Sequence, residues 1–278
     1  TDANGCSETL NSITVGESSG LTVSGSVTSN YNGEHISCNG ASDGQITASV
    51  SGGAGNYTYS IDGINFLSSS VFNGLNSGSY TVQYKDGNNC SVFEVIVLTD
   101  PPALSSSVIS KSDISCWGYG DGSIYIAISG GVPYSASPLY NVSWSSSNGG
   151  YSSNVVDSLF NIPQPGTYTA SVIDANGCST SNISQYISQP TAIVCTTSAQ
   201  PVQCYGDNNG SIQLQVSGGS GPYSYSWSSL TYPSFISSLQ NLQFLSTGYY
   251  TYDVVDSKGC TIVSPAIHDV YVAQPSAI

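Results

Sequence analysis

The sequence predicts an all-β chain: tandem immunoglobulin- or fibronectin-like antiparallel β-sandwich repeats forming an extended rod. Three observations carry that expectation. A set of short motifs recurs three times along the 278 residues. Segments inside each copy alternate apolar and polar residues with period two, as half-buried strands do. The separators are Gly-Gly, Asn-Gly, Asp-Gly and Pro-containing stretches, which supply positive φ or interrupt ladders.

Each copy opens on a head motif, "CNGASDGQITASVSGG" from Cys38, "CWGYGDGSIYIAISGG" from Cys116 and "CYGDNNGSIQLQVSGG" from Cys204. The copies agree at Cys, at Gly two and six residues on, at Ile eight residues on, and at the closing Ser-Gly-Gly. "QITASVS", "SIYIAIS" and "SIQLQVS" are the predicted strands. A middle motif follows, "NYTYSID" at Asn56, "LYNVSWSS" at Leu139 and "PYSYSWSS" at Pro222. The second copy carries an insert, "VPYSASPL", ahead of it. A tail motif closes each copy at Cys90, Cys178 and Cys260, and its "GSYTVQYKD" type of segment again alternates. In the tail an apolar residue, a Gly and a Tyr two later form the pattern of a tyrosine corner at Tyr80, Tyr168 and Tyr250. Roughly seven short strands in about 85 residues suit a two-layer sandwich.

The Pro-containing stretches "TDPPAL", "SQPTAI" and "AQPSAI" mark the joints, because Pro removes a ladder donor and favours extended backbone. The expected division is residues 1–16 as the last strand of a truncated preceding repeat, 17–100, 101–189 and 190–274 as three sandwiches, and 275–278 as the start of a following one. The opening "TDANGC" matches "IDANGC" at Ile173, so the chain is expected to be an excerpt of a longer array.

Composition removes several functions. With three Lys and Arg against 17 Asp and Glu, a formal charge of −14 cannot neutralise phosphates, so nucleic acid is not an expected partner. The same balance argues against docking on an anionic membrane, and no apolar run approaches the roughly 20 residues of a span, so no direct membrane insertion is expected. Eight Cys with little metal-ligating company and no CxxC pair point to an oxidising, extracellular setting rather than zinc.

Taken together, Cys-x-Gly-x3-Gly-x-Ile, Ser-Gly-Gly, Tyr-x-Tyr-Ser-Trp, Gly-x-Tyr-Thr and Asp-x-x-Gly-Cys resemble the SprB repeat of giant surface adhesins in gliding bacteria. The resemblance runs through all three copies. The first copy departs from it with Ile61 where the others have Trp144 and Trp227, and with "DGNNC" in its tail. The resemblance implies a long cell-surface protein exported by the type IX secretion system and moved by the gliding motor. Its partners would be neighbouring repeats of the same chain, extracellular polysaccharide or substratum, and the gliding and secretion machinery.

Six cysteines hold equivalent places, and the favoured pairing lies within each copy: Cys38 with Cys90, Cys116 with Cys178, Cys204 with Cys260. A geometric objection stands beside it. In a standard sandwich the turns carrying the two cysteines sit at opposite ends, roughly 25–30 Å apart by strand rise, beyond disulfide reach. The alternative joins neighbouring copies, Cys38 with Cys178 and Cys116 with Cys260. Cys6 is read as the tail cysteine of the truncated copy, with its partner upstream. Cys195 has no counterpart, and is read as free or as competing with Cys204 for Cys260.

No catalytic, cofactor or metal site is expected. Gly16-Glu17-Ser18-Ser19-Gly20 fits the G-x-S-x-G elbow, but no helical period follows it. His35 and His268 fall in different copies and read as surface or strand residues. Asp43, Asp121 and Asp207 tempt a calcium reading, yet each head loop offers one carboxylate where calcium wants several, so turn formation is the expected role. Asp157-Ser158-Leu159 resembles an O-glycosylation acceptor, placing a sugar on Ser158. The expected function is a structural and adhesive, non-enzymatic segment. The alternative is a carbohydrate-binding module in which Tyr59, Trp144 and Trp227 stack on sugars, against which stands that aromatics on a period-two strand more often face the core.

Overall fold

The computed structural model describes residues 3–7, 19–149, 152–153, 157–263 and 268–278. Among these, all regular structure is β. The strands are β1 (Thr22–Val27), β2 (Gly44–Ser51), β3 (Thr58–Ser60), β4 (Val71–Leu75), β5 (Gly78–Lys85), β6 (Ser91–Leu98), β7 (Ser105–Ser112), β8 (Gly122–Ser129), β9 (Asn141–Ser146) and β10 (Ser152–Ser153). They continue as β11 (Ser158–Ile162), β12 (Gly166–Ile173), β13 (Ile183–Ile187), β14 (Val194–Gln200), β15 (Gly210–Ser217), β16 (Ser224–Ser229), β17 (Ile236–Ser237), β18 (Leu242–Leu245), β19 (Gly248–Val255) and β20 (Asp269–Val272). Every recorded pairing is antiparallel.

The chain divides into two compact units. The first comprises Thr1–Ser105, Ser129–Tyr140 and Ile173–Ser179. It contains the sheets β1-β2-β4 and β3-β5-β6. Alternation decides what those sheets bury: in β2 the pattern places Ile46 and Ala48 inside, and in β5 Val82 and Tyr84. With Phe72, Ile96, Leu98 and Ile36 these side chains form one core between the two sheets.

The second unit comprises Ser106–Ile128, Asn141–Val172 and Thr180–Ile278. Its sheets are β11-β8-β7, β10-β9-β12-β13, β14-β15-β18 and β17-β16-β19-β20, a few strand-end residues excepted. Ile212, Leu214, Leu242 and Leu245 from one sheet meet Trp227, Tyr250, Tyr252, Val254 and Val272 from another in a continuous core. The Gly six residues after each head Cys opens β2, β8 or β15. A Cβ on Gly122 would press on Ile114, Ile162 and Ile187 at 3.2–3.3 Å, so this motif glycine lets the strand start close under its neighbours.

Candidate functional site

The motif residues converge on two recurring pieces of backbone, the head loop and the tail turn. In the head loop Cys38 begins a tight turn closed by Ala41 N–H donating to the Cys38 carbonyl, and Tyr119 to Cys116 and Asp207 to Cys204 repeat it. The third residue of each turn is Gly40, Gly118 or Gly206, with φ of 78°, 78° and 84°, which a type II turn requires. Ser37 N–H donates to Asp43 Oδ1 and Ser115 N–H to Asp121 Oδ1. In the third copy Asn209 Oδ1 takes that place and accepts from Gln203 N–H, while Asp207 accepts from Cys204 N–H. The aspartates thus work as loop clamps. Hydrogen bonding from Ser115 holds the Asp121 carboxyl below the usual carboxylate range.

The tail turn is built on Asp86, Asp174 or Asp256. One oxygen, Oδ1, accepts from the N–H groups two and four residues on: Asn88 and Cys90, Asn176 and Cys178, Lys258 and Cys260, all at 2.8–2.9 Å. The other, Oδ2, accepts from the N–H just after Ser-Gly-Gly: Ala54 at 3.0 Å, Val132 at 2.8 Å and Ser220 at 2.8 Å. That second contact explains Gly-Gly. A Cβ on Gly53, Gly131 or Gly219, all at positive φ, would run into the same Asp oxygen at 2.6–2.9 Å. Head strand and tail turn are therefore one lock. In the first copy Asn89, at φ 64°, stands where Gly177 and Gly259 serve the others, because Asn tolerates that conformation.

The backbone N–H of Ala54 leads the contacts that hold the Asp86 carboxyl low. At Asp256 burial works upward but the N–H groups of Cys260, Ser220, Lys258 and Gly259 outweigh it, and its pKa is also lowered. A carboxylate depressed in the folded state stabilises above its unfolded value and loses that contribution as pH falls through the folded one. The melting midpoint is accordingly expected to hold between pH 7 and about 5 and to fall below about pH 4, as calorimetry across that range would show.

The bridges overturn the favoured pairing. Cys38 bonds Cys178 with Cα atoms 5.7 Å apart, and Cys116 bonds Cys260 with Cα atoms 5.5 Å apart. Cys90 and Cys204 are exposed free thiols, and Cys195 is a buried one. The physical reason is the geometric objection: head loop and tail turn of one copy do not come within bonding distance, whereas the head of one copy and the tail of the next do. The competition of Cys195 for Cys260 also fails, because Cys260 is taken and Cys195 is 4% exposed within the β14 core, where burial pushes its thiol pKa up.

Both bridges have packed surroundings. In the first unit Asn32 Nδ2 donates to Asn176 Oδ1 at 2.6 Å, Asn176 Nδ2 donates to the Ser37 carbonyl at 2.9 Å, and Cys178 Sγ lies 3.2 Å from that same carbonyl. In the second unit Cys116 and Cys260 are 3% and 4% exposed, and Cys260 Sγ lies 3.4 Å from the Ser115 carbonyl. Trp117 and Tyr119 of the head loop line a shallow cavity with Cys260, Thr261 and Val263.

The tail tyrosines each donate to the carbonyl four residues upstream: Tyr80 to Asn76, Tyr168 to Gln164 and Tyr250 to Ser246, at 2.9, 2.8 and 3.1 Å. Tyr168→Phe leaves the Gln164 carbonyl without this donor, and is expected to cost about 1 kcal/mol in a denaturation titration. A second tyrosine latch escaped the sequence reading. Tyr57, Tyr140 and Tyr223 donate to the carbonyls of Gly52, Gly130 and Gly218, the first Gly of each Ser-Gly-Gly. The signal was present as a five-residue spacing in the first and third copies, disguised in the second by its insert.

The middle-strand aromatics face the core, as their place on alternating strands favours. Trp144 and Trp227 are 2% and 1% exposed, and Tyr59 packs edge-on to Tyr84 at 5.8 Å against the first core. A core aromatic on an alternating strand offers no face to a ligand. Gly16, Glu17 and Ser18 lie outside the described residues. His35 Nδ1 accepts from Thr99 N–H, and His268 stacks on Tyr252 and pairs with Asp253 at 3.3 Å. Ser158 is half-buried where β11 pairs with β8.

Several solved structures resemble the chain at low identity. Three N-terminal domains of the bacteriophage RB49 Highly Immunogenic Outer Capsid protein align at 15% identity over 91% of this chain and 96% of that one, with a TM-score of 0.40. A C-terminal intimin fragment aligns at 15% identity over 64% of each chain, with a TM-score of 0.31. A tetra-tandem repeat of a large adhesion protein aligns at 14% identity over 91% of this chain and 72% of that one, with a TM-score of 0.24. Scores this low carry no further argument. A search of curated proteins finds no match. The family comparison matches the SprB repeat at residues 30–66 and 196–231, stretches that hold the head loops of Cys38 and Cys204 together with the Ser-Gly-Gly lock and the middle strand. Two stretches of the chain, one in the first copy and one in the third, therefore match the SprB repeat.

Proposed function

We propose that the chain is a structural and adhesive, non-enzymatic segment of a long bacterial cell-surface protein that acts in attachment and gliding. One observation carries this reading: each bridge ties the head loop of one copy to the tail turn of the next, so successive copies are locked against separation. The SprB repeat match supports the adhesin setting, and two disulfides suit an extracellular location. The division into three sandwiches at 17–100, 101–189 and 190–274 belongs to the same proposal. Ser158 as a glycosylation site is a lesser part of it.

Load bearing has a numerical signature. The bridges overlap in sequence, so the shortest covalent route from Cys38 to Cys260 uses both: across to Cys178, back along the chain to Cys116, and across again. Of the 222 residue steps from Cys38 to Cys260 that route keeps only the 62 between Cys116 and Cys178 and withholds 160. At roughly 3.4 Å per residue, about 540 Å of unfolded length is kept out of reach of a pulling force. Single-molecule extension of the chain, with and without reductant, should differ by about that length. Equal extension in both conditions contradicts a load-bearing role for the bridges. Cells whose surface protein lacks this segment should attach and glide less, and unchanged attachment and gliding would remove the adhesive reading.

A further inference from the structure

We propose that Cys204 and Cys90 are the two halves of a further bridge, and that Cys204 of one copy of this chain bonds Cys90 of a second copy. This goes beyond the adhesin reading and does not depend on it.

The unbonded halves already hold the conformation of the bonded ones. Cys204 sits at the head of the same type II turn as Cys38 and Cys116, closed by Asp207 N–H onto the Cys204 carbonyl. Gln203 N–H is clamped by Asn209 as Ser37 and Ser115 are clamped by Asp43 and Asp121. The stretch after the third copy also holds its head loop as the joint after the second does. Gly206 N–H donates to Gln274 Oε1 and Gly118 N–H to Gln189 Oε1, both at 3.4 Å, and Val202 N–H reaches the Ala273 carbonyl as Ile114 N–H reaches that of Ser188.

Cys90 is the mirror case. Asp86 Oδ1 holds the N–H groups of Asn88 and Cys90 at 2.9 Å, the arrangement that presents Cys178 and Cys260 to their partners. Both thiols are exposed, whereas the four bonded cysteines are half-buried or buried by the opposing loop. Beside Cys204, Tyr205 is 61% exposed and occupies the place that Trp117 fills against Cys260. A preformed head and a preformed tail on one chain make a heterologous contact that propagates head to tail.

The chemistry is thiol–disulfide exchange. One thiolate attacks oxidised glutathione and releases a glutathione thiolate. The second thiolate then attacks the mixed disulfide and releases the other glutathione. Two cysteine thiols give up two electrons and two protons, and one glutathione disulfide becomes two thiols.

The test uses the purified chain, concentrated in a glutathione redox buffer with enough salt to screen its charge of −14. The expected result is a ladder of disulfide-linked oligomers on a non-reducing gel, from which digestion releases a Cys204–Cys90 peptide pair. Cys204→Ser and Cys90→Ser each remove the ladder. Both variants keep Cys38–Cys178 and Cys116–Cys260 in the same digest, which shows that they fold. A chain that stays monomeric overturns the proposal, as do oligomers linked mainly Cys204 to Cys204, Cys90 to Cys90, or Cys204 to Cys6.

Discussion

Reducing the folded chain is expected to lower its melting midpoint by on the order of 10 °C. Each bridge closes a long loop, 140 residues for Cys38–Cys178 and 144 for Cys116–Cys260. Loop-closure entropy for such spans corresponds to about 5 kcal/mol apiece in the unfolded state. The loops interpenetrate, so the second bridge closes a circuit already shortened by the first, and the two contributions do not sum. Dividing about 5 kcal/mol by the unfolding entropy of a chain this size gives the stated shift. Calorimetry with and without reductant reads it, and identical midpoints would mean that the bridges contribute no stability.

The second large effect is expected at Asp174. This carboxylate is 0% exposed and accepts from Val132, Asn176 and Cys178 N–H at 2.8–2.9 Å. Asp174→Ala leaves three backbone donors without an acceptor, which outweighs any gain from removing a buried charge. The expected cost is about 4 kcal/mol. Asp174→Asn keeps one acceptor oxygen and should cost less. The turn that presents Cys178 loosens in both variants, so Cys38–Cys178 should be reduced faster than Cys116–Cys260, whose turn keeps its own clamp at Asp256. Equal reduction rates at the two bridges would show that the clamp does not govern the link.

Much of the fold is written locally. Period-two alternation in "QITASVS" and "SIQLQVS" names Ile46, Ile212 and Leu214 as inward-facing, and all three are buried. The motif glycines are legible as turn residues, although the sequence does not show that the second Gly of Ser-Gly-Gly is kept bare by an Asp 33 to 43 positions downstream. That contact is a matter of tertiary placement. The disulfide partners are hidden for a related reason. Every copy offers an equivalent head and tail cysteine, so motif equivalence alone cannot separate pairing within a copy from pairing between neighbours. Strand length, which puts the two turns at opposite ends of one sandwich, was the decisive information. The tryptophans fall on the legible side: Trp144 and Trp227 lie on alternating strands, where a large aromatic favours the core face, and both are buried.

The claim that the chain is laced from head to following tail is tested most directly by peptide mapping of the native, thiol-blocked protein without reduction. The account predicts linked peptide pairs containing Cys38 with Cys178 and Cys116 with Cys260. Pairs joining Cys38 to Cys90, Cys116 to Cys178 and Cys204 to Cys260 would contradict it.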